Sequence, residues 1–258
     1  MLSLIHTLNQ WPFWLTWIIQ LLFCYSAVLV MMRLLGQNGI YVFMAVMVIA
    51  GNIQVTKLVN FPFYDNPVPL GTTLFAATYL ATDILTEYYG AAAARRGILL
   101  AFSGMVLMVI TMVLTLGFTP LTMLQSIQAG MPEATDSQKA LLTIFTPAPA
   151  LLLASLSSFL ISQFTDVWIF SLIKRLTHQK WLWLRNNLSC WLSALLDNTV
   201  FSLLAWRLFS SSPVPWHTLI LGYILGTYLL RVIISAMNTP FIYLAAKQLR
   251  PQTHDLQA

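Results

Sequence analysis

The stretch Thr78–Gly90, TYLATDILTEYYG, ends an apolar run that begins near Leu70 and carries two carboxylates. Asp83 and Glu87 are four residues apart, so a helix places both on one face, with Tyr79 one turn earlier. An acid at the centre of a membrane helix costs about 2.5–3.5 kcal/mol, and like charges at this spacing repel. The stretch therefore predicts a membrane span whose acids find compensation elsewhere in the chain.

The composition extends this interpretation to the whole chain. Of its 258 residues, 58% are hydrophobic and only 8% are charged, whereas about 25% are charged in soluble domains. The basic residues lie in short loops between apolar runs, so the net charge of +5 indicates membrane topology. It does not indicate a nucleic-acid surface. We expect an all-α polytopic membrane protein whose partner is the lipid bilayer, with no nucleic-acid partner.

The apolar runs predict about seven transmembrane helices of about 20 residues each. The first, at residues 14–35, is followed by a tight turn at residues 36–39. The others are expected at residues 40–61, 70–90, 98–118, 150–172, 186–209 and 218–246, and a short interfacial helix at 138–145. The chain then divides into an N-terminal accessory helix and turn (1–38), a six-helix core (39–250) and a tail (251–258).

Charge separates the loops into two sets. Arg33, Arg95, the basic cluster at residues 174–185 and the residues 247–250 belong to one set, and the acidic loops belong to the other. The positive-inside rule then places the N-terminus outside and the C-terminal tail in the cytoplasm. The N-terminus has no basic region before a span-length apolar run, which predicts an uncleaved anchor rather than a signal peptide.

Five of the predicted spans carry polar and aromatic side chains at helical spacing. Such stripes are expensive in lipid, so we expect them to converge on one wet or ligand-filled cavity. Cys24 and Cys190 are interpreted as small buried side chains. Metal-ligand spacing and a nucleophile–base pair are both missing from the sequence. We therefore expect no metal, no cofactor, no catalytic residues and no enzyme.

Simpler structural roles remain open for several of these residues. Asp83 or Asp166 could pair with Arg231 or Lys57 as a lock between helices. Lys57 and Arg185 could extend to the membrane interface, and the serines of the sixth span could allow close helix packing.

The charge count also leaves two alternatives. Four predicted intramembrane acids (Asp83, Glu87, Asp166 and Asp197) face two internal bases, Lys57 and Arg231. An unbalanced buried carboxylate either holds a proton or awaits a cationic or donor-rich ligand. A carboxylate flanked by aromatic rings suits the donor edge of a guanine-like base.

Several strings resemble the queuosine precursor transporters, also called the vitamin-uptake-like (VUT) family. The resemblance covers roughly residues 40–247. The strings are Asn52 to Lys57, ATDILTEYYG at 81–90, SQFTDVWIF at 162–170, Arg185 with Ser189, DNTVF at 197–201, and Tyr228 and Arg231 with TPFIY at 239–243.

This resemblance implies a bacterial inner-membrane importer of 7-cyano-7-deazaguanine or 7-aminomethyl-7-deazaguanine, precursors of a modified tRNA base. It implies a transporter core similar to the six-helix substrate-binding subunits (S-components) of vitamin ECF transporters. Position 231, often Lys in the family, is Arg here, which keeps the charge but changes the donor geometry. Transport of another vitamin or nucleobase, a substrate-binding subunit that needs a partner, and a homodimer all remain open.

We expect the site residues to contact the base in four ways. Carboxylates would accept hydrogen bonds from the N–H edge of the nucleobase, and amides would orient it. A basic side chain would donate to its carbonyl or nitrile, and aromatic rings would stack on it. In that order the candidates are Asp83, Glu87, Asp166 and Asp197; Asn52, Gln163 and Asn198; Lys57 and Arg231; and Tyr79, Phe170, Phe201 and Tyr228.

Overall fold

The computed structural model describes residues 1–61, 64–146, 149–210 and 212–254, so part of the predicted tail lies outside the described residues. Helices dominate it, and three of them contain π-helical turns. The elements are α1 (Leu2–Asn9), α2 (Phe13–Gln54), β1 (Leu58–Phe61), β2 (Tyr64–Pro69), α3 (Gly71–Ile84), π1 (Leu85–Tyr89), α4 (Ala91–Leu116), α5 (Met123–Gln128), α6 (Ala134–Phe145), α7 (Pro149–Leu176), α8 (Leu182–Leu203), π2 (Leu204–Leu208), π3 (Thr218–Gly226) and α9 (Thr227–His254).

Helix α2 consists of two arms that reverse direction at Gly36. Gly36 has φ 58° and ψ −139°, a conformation that glycine adopts without the steric cost of a Cβ. The side chains of Gln20 and Gln54 hydrogen-bond at 3.0 Å, although 34 residues of continuous helix would separate them by about 51 Å. The arms are therefore antiparallel, and the reversal lies in the turn predicted at residues 36–39.

The second arm of α2 ends at Gln54, seven residues before the predicted end of that span at Phe61. The chain then forms an antiparallel hairpin in which Leu58 pairs with Pro69 and Val59 with Val68. Branched and aromatic residues in this segment favour strands, and its prolines are tolerated at a sheet edge. The hairpin is a short β element that the sequence analysis missed, in a chain whose other elements are helical, as the all-α class predicts.

Five helices in the described part of the chain are long and apolar enough to cross a membrane. They are Phe13–Gln54, Ala91–Leu116, Leu151–Leu176, Leu182–Leu208 and Thr218–Leu249. Helix α4 shows the typical outer face, because Leu107, Ile110 and Leu114 are all more than half exposed and lipid can cover them. The protein is therefore a polytopic helical membrane protein. The short helix α6 contains the predicted interfacial segment.

Helix α3 lies at the centre of the bundle and is buried along nearly its whole length. It contacts α2, α4, α7, α8 and α9. The contact with α2 is close: a Cβ added at Gly71 would lie 2.3 Å from the carbonyl oxygen of Gly51. Because every face of α3 is covered by protein, its polar side chains must find partners on neighbouring helices.

Candidate functional site

Glu87 forms an ion-pair cluster at the end of the central helix. Its two carboxylate oxygens accept from Arg185 Nη2 at 2.7 Å and Arg185 Nε at 3.0 Å. Lys174 lies 3.2 Å from the same carboxylate and also donates to the Glu87 backbone carbonyl at 2.8 Å. Arg185 Nη1 donates to the carbonyls of Gln179 and Lys180. Glu87 thus joins the central helix to α7 and α8, and both of its carboxylate oxygens already have basic partners.

Two sequence expectations about basic residues are corrected by the structure. Arg185 is 2% exposed, so it does not extend to the membrane interface. Lys57, expected to be internal, lies after the end of α2 and is exposed. Lys57 lies between the end of α2 at Gln54 and the start of the β-hairpin at Leu58, so the helix that was expected to bury it does not reach it.

Asp197 on α8 and Arg231 on α9 form a second ion pair, in which Arg231 Nη1 donates to Asp197 Oδ2. Asp197 Oδ1 accepts from the hydroxyl of Ser162 on α7 at 3.2 Å. The pair is largely buried, with side-chain exposures of 14% and 13%. Tyr79 on α3 interacts electrostatically with both members of the pair and with Ser162. Four helices therefore meet at this pair. The lock considered for Asp83 or Asp166 with Arg231 is made by Asp197 instead.

Asp83 and Asp166 face each other across α3 and α7 without a cationic partner among the described residues. Both are fully buried. Asp83 Oδ2 accepts from the thiol of Cys190 at 3.4 Å, and Asp166 Oδ1 accepts from Ser193 at 2.8 Å. The remaining oxygens, Asp83 Oδ1 and Asp166 Oδ2, have no hydrogen-bond partner in the described part of the chain.

A small cavity lies between these two groups of residues. Its volume is about 10 Å³, roughly what one water molecule needs. The lining residues are Ala76, Tyr79, Cys190, Ala194, Arg231 and Ser235. Cys190 therefore belongs to both the cavity wall and the Asp83 contact. The cavity is too small for a purine-sized ligand in this structure.

A larger hollow of about 640 Å³ opens at the basic end of the bundle. It is lined by Thr86, Gly90, Ala91, Ser171, Lys174, Arg175, His178 and Gln179. Lys174, a partner of Glu87, lines this hollow together with Thr86 of π1.

The amide candidates brace helices rather than point into the cavity. Gln163 donates to Thr78 and accepts from Thr82, both at 2.9 Å. Asn52 accepts from Ser155 at 3.0 Å. Asn198 donates to the Ile224 carbonyl and to Thr227.

Most of the aromatic candidates also lie away from the small cavity. Phe170 is buried beneath the guanidinium of Arg185, and its ring centroid lies 5.7 Å from Arg185 Cζ. Phe201 and Tyr228 are only half-buried and do not line the small cavity. Of the four aromatic candidates, only Tyr79 does.

Sequence reasoning missed two contributors to these contacts. Cys190 was interpreted as a small buried side chain, but it hydrogen-bonds Asp83. Lys174 was assigned to a loop cluster, but it pairs with Glu87. The only sequence signal for Cys190 was its position directly after Ser189 in a span with several polar residues.

Comparison with known proteins identifies a family of transporters. The family described as "putative vitamin uptake transporter" matches residues 69–245. A curated protein of Bacillus subtilis (strain 168), named "Probable queuosine precursor transporter", is 32% identical over 235 residues, which cover 90% of this chain and 94% of the relative. No solved structure matches the chain.

Proposed function

The chain belongs to the vitamin uptake transporter family, and we propose that it imports a queuosine precursor, a 7-deazaguanine base, across the bacterial inner membrane. The relative's name and the family support the transport role. The observation that carries the proposal is the Asp197–Arg231 pair beside Tyr79 at the wall of the central cavity.

The chemistry of this pair suits a guanine-like base. Such a base presents two N–H donors on one edge, which a carboxylate accepts, and a carbonyl oxygen that a guanidinium donates to. Arg231 Nε is buried and has no hydrogen-bond partner among the described residues, so it can donate to a ligand. The ring of Tyr79 supplies a stacking surface.

Substrate binding requires the bundle to open. The cavity volume of about 10 Å³ is far below the roughly 300 Å³ of a typical small-molecule pocket. Arg231 on α9 and Asp197 on α8 hold two of the helices that line the cavity. A base that takes over the hydrogen bonds of Asp197 would loosen this pair, so ligand binding and helix separation are linked.

We infer seven crossings and an S-component-like six-helix core behind an accessory helix. The crossings are the two arms of α2, α3 with π1, α4, α7, α8 with π2, and π3 with α9. Such a path places the basic ends, including Arg33, Arg95 and Lys174, on one side, which supports an outside N-terminus and a cytoplasmic C-terminus. The hollow beside Lys174 would then be the cytoplasmic release path, closed by the Glu87 cluster. A homodimer stays a prediction.

Ligand-dependent stability of the detergent-purified protein tests the proposed function. A ligand at a hundred times its Kd adds about 2.7 kcal/mol of stability when it binds only the folded state. We expect 7-cyano-7-deazaguanine or 7-aminomethyl-7-deazaguanine to raise the Tm, while guanine and vitamins do not. A rise in Tm with a vitamin alone would contradict the proposed substrate and leave the proposed architecture unaffected. The matched control is Asp136→Asn, since Asp136 is exposed on α6.

A further inference from the structure

The centre of the bundle contains two buried carboxyls that the proposed substrate contacts do not use. Carboxyl oxygens of Asp83 and Asp166 and the sulfur of Cys190 all lie within 4.8 Å of one another. They come from α3, α7 and α8, which the fold brings together at the inner side of the cavity. All three side chains are buried.

Each of the two carboxyls lacks a hydrogen-bond donor for one of its oxygens among the described residues. Each has one oxygen satisfied, by Cys190 for Asp83 and by Ser193 for Asp166. Each has one buried oxygen with no donor among the described residues. Unsatisfied buried acceptors are rare and costly. One proton on either carboxyl turns it into a hydrogen-bond donor, and an oxygen of the other carboxyl lies within 4.8 Å as a candidate acceptor.

The surrounding charges do not supply a counter-ion. Glu87 faces the pair from π1 but is bound to Arg185 and Lys174, and Arg231 on α9 is bound to Asp197 on α8. The first arm of α2 contributes Cys24 and Tyr25, while Arg95 and Arg96 of α4 are exposed at the protein surface. Two like charges this close, with no free cation beside them among the described residues, favour binding of a proton by one of them.

A proton also fits the site better than a hard cation does. Hard cations such as Mg²⁺ and Ca²⁺ take six or more oxygen ligands. The cluster offers two free carboxyl oxygens and a thiol. A single proton needs only the two facing oxygens.

We propose that Asp83 and Asp166 together bind one proton, and that this pair couples proton movement to transport of the substrate. Cys190 is the physical link, since it lines the substrate cavity and donates to Asp83. A ligand that displaces Cys190 removes a hydrogen-bond donor from Asp83 and thereby changes the affinity of Asp83 for the proton. The proton enters with the substrate from outside and leaves to the cytoplasm, and the substrate is chemically unchanged. The coupling role rests on the proposed function, whereas the bound proton does not.

The bound proton is tested by infrared spectroscopy of the wild-type protein in lipid at neutral pH. We expect the carbonyl stretch of a protonated carboxylic acid, shifted in deuterated water and lost in both Asp83→Asn and Asp166→Asn. The exposed Asp136→Asn serves as the control and keeps the band. A wild-type spectrum without the band overturns the proposal even if neither variant folds. A band lost only on addition of Na⁺ or Mg²⁺ also overturns it, in favour of a metal site.

The coupling is tested by accumulation of radiolabelled deazaguanine in proteoliposomes with an imposed pH gradient, acid outside. With one proton per substrate, each pH unit raises the accumulation ratio about tenfold, since one unit corresponds to 1.36 kcal/mol. We expect this gain in the wild type and in Asp136→Asn, and its loss in Asp166→Asn. Wild-type uptake that ignores the gradient overturns the coupling and leaves the proposed function intact. If the wild type takes up no deazaguanine, the proposed function is overturned. The infrared band then still shows whether the carboxyl pair binds a proton.

Discussion

Arg185 on α8 holds both carboxylate oxygens of Glu87 on π1, at 2.7 Å and 3.0 Å, beneath a protein surface that leaves Arg185 only 2% exposed. The pair joins the central helix to α8 at the basic end of the bundle. A charge this deeply buried is tolerated because all three guanidinium nitrogens of Arg185 donate to acceptors in the protein. Glu87 therefore joins the helices at this end of the bundle, and its predicted contact with the substrate stays a prediction.

We expect Arg185→Ala to destabilise the protein by about 3–5 kcal/mol, because it leaves the buried Glu87 short of its main partner. Urea or thermal unfolding in detergent measures the loss. The double variant Arg185→Met with Glu87→Met should recover most of it. Lys139→Ala, which breaks an exposed pair with Asp136, should change stability by less than about 1 kcal/mol. Equal losses in Arg185→Ala and Lys139→Ala would contradict this assignment.

We expect Asp197→Asn to weaken deazaguanine binding by about 10- to 100-fold, since a hydrogen bond to a charged group contributes about 1.5–3 kcal/mol. Arg231→Lys should also bind more weakly, because an ammonium cannot reproduce the guanidinium fork. Calorimetric titration measures both. Arg207→Ala is the control, as Arg207 stacks on Trp216 at 4.6 Å and lies away from the cavity. Unchanged affinity in Asp197→Asn would remove this carboxylate from the site.

We expect Asp83→Asn to abolish deazaguanine uptake while the protein still inserts into the membrane. The amide keeps the shape of the side chain but cannot carry the proton, and its burial is unchanged. Uptake by cells and the amount of protein in membranes are measured together. The exposed Asp136→Asn should transport normally. Normal uptake by Asp83→Asn would remove Asp83 from the mechanism.

We expect Gly36→Ala to cost about 1–3 kcal/mol of stability, because a Cβ is strained at φ 58° and ψ −139°. A Cβ at this position meets no atom within 4 Å, so the loss reports backbone strain alone. Gly104→Ala in α4 is the matched control, since its nearest atom is a methyl carbon at 3.8 Å and alanine favours a helix. An unchanged unfolding midpoint for Gly36→Ala would show that the reversal does not need glycine.

Local features of the sequence determined a large part of this protein. Apolar runs set the crossing segments, Gly36 marked a reversal, and the four-residue spacing of Asp83 and Glu87 placed two acids on the central helix. The strings at residues 81–90 and 162–170 also indicated the family. These features depend on neighbours along one helix, so they can be read without the fold.

The partner of each buried charge was decided only by the tertiary structure. Sequence reasoning proposed Lys57 and Arg231 as the internal bases for the acids. The fold instead gives Arg185 and Lys174 to Glu87, gives Arg231 to Asp197, and leaves Asp83 facing Asp166. The β-hairpin that exposes Lys57 was also missed. The physical reason is that helical periodicity fixes which residues share a face, whereas the rotation and depth of each packed helix decide which faces meet.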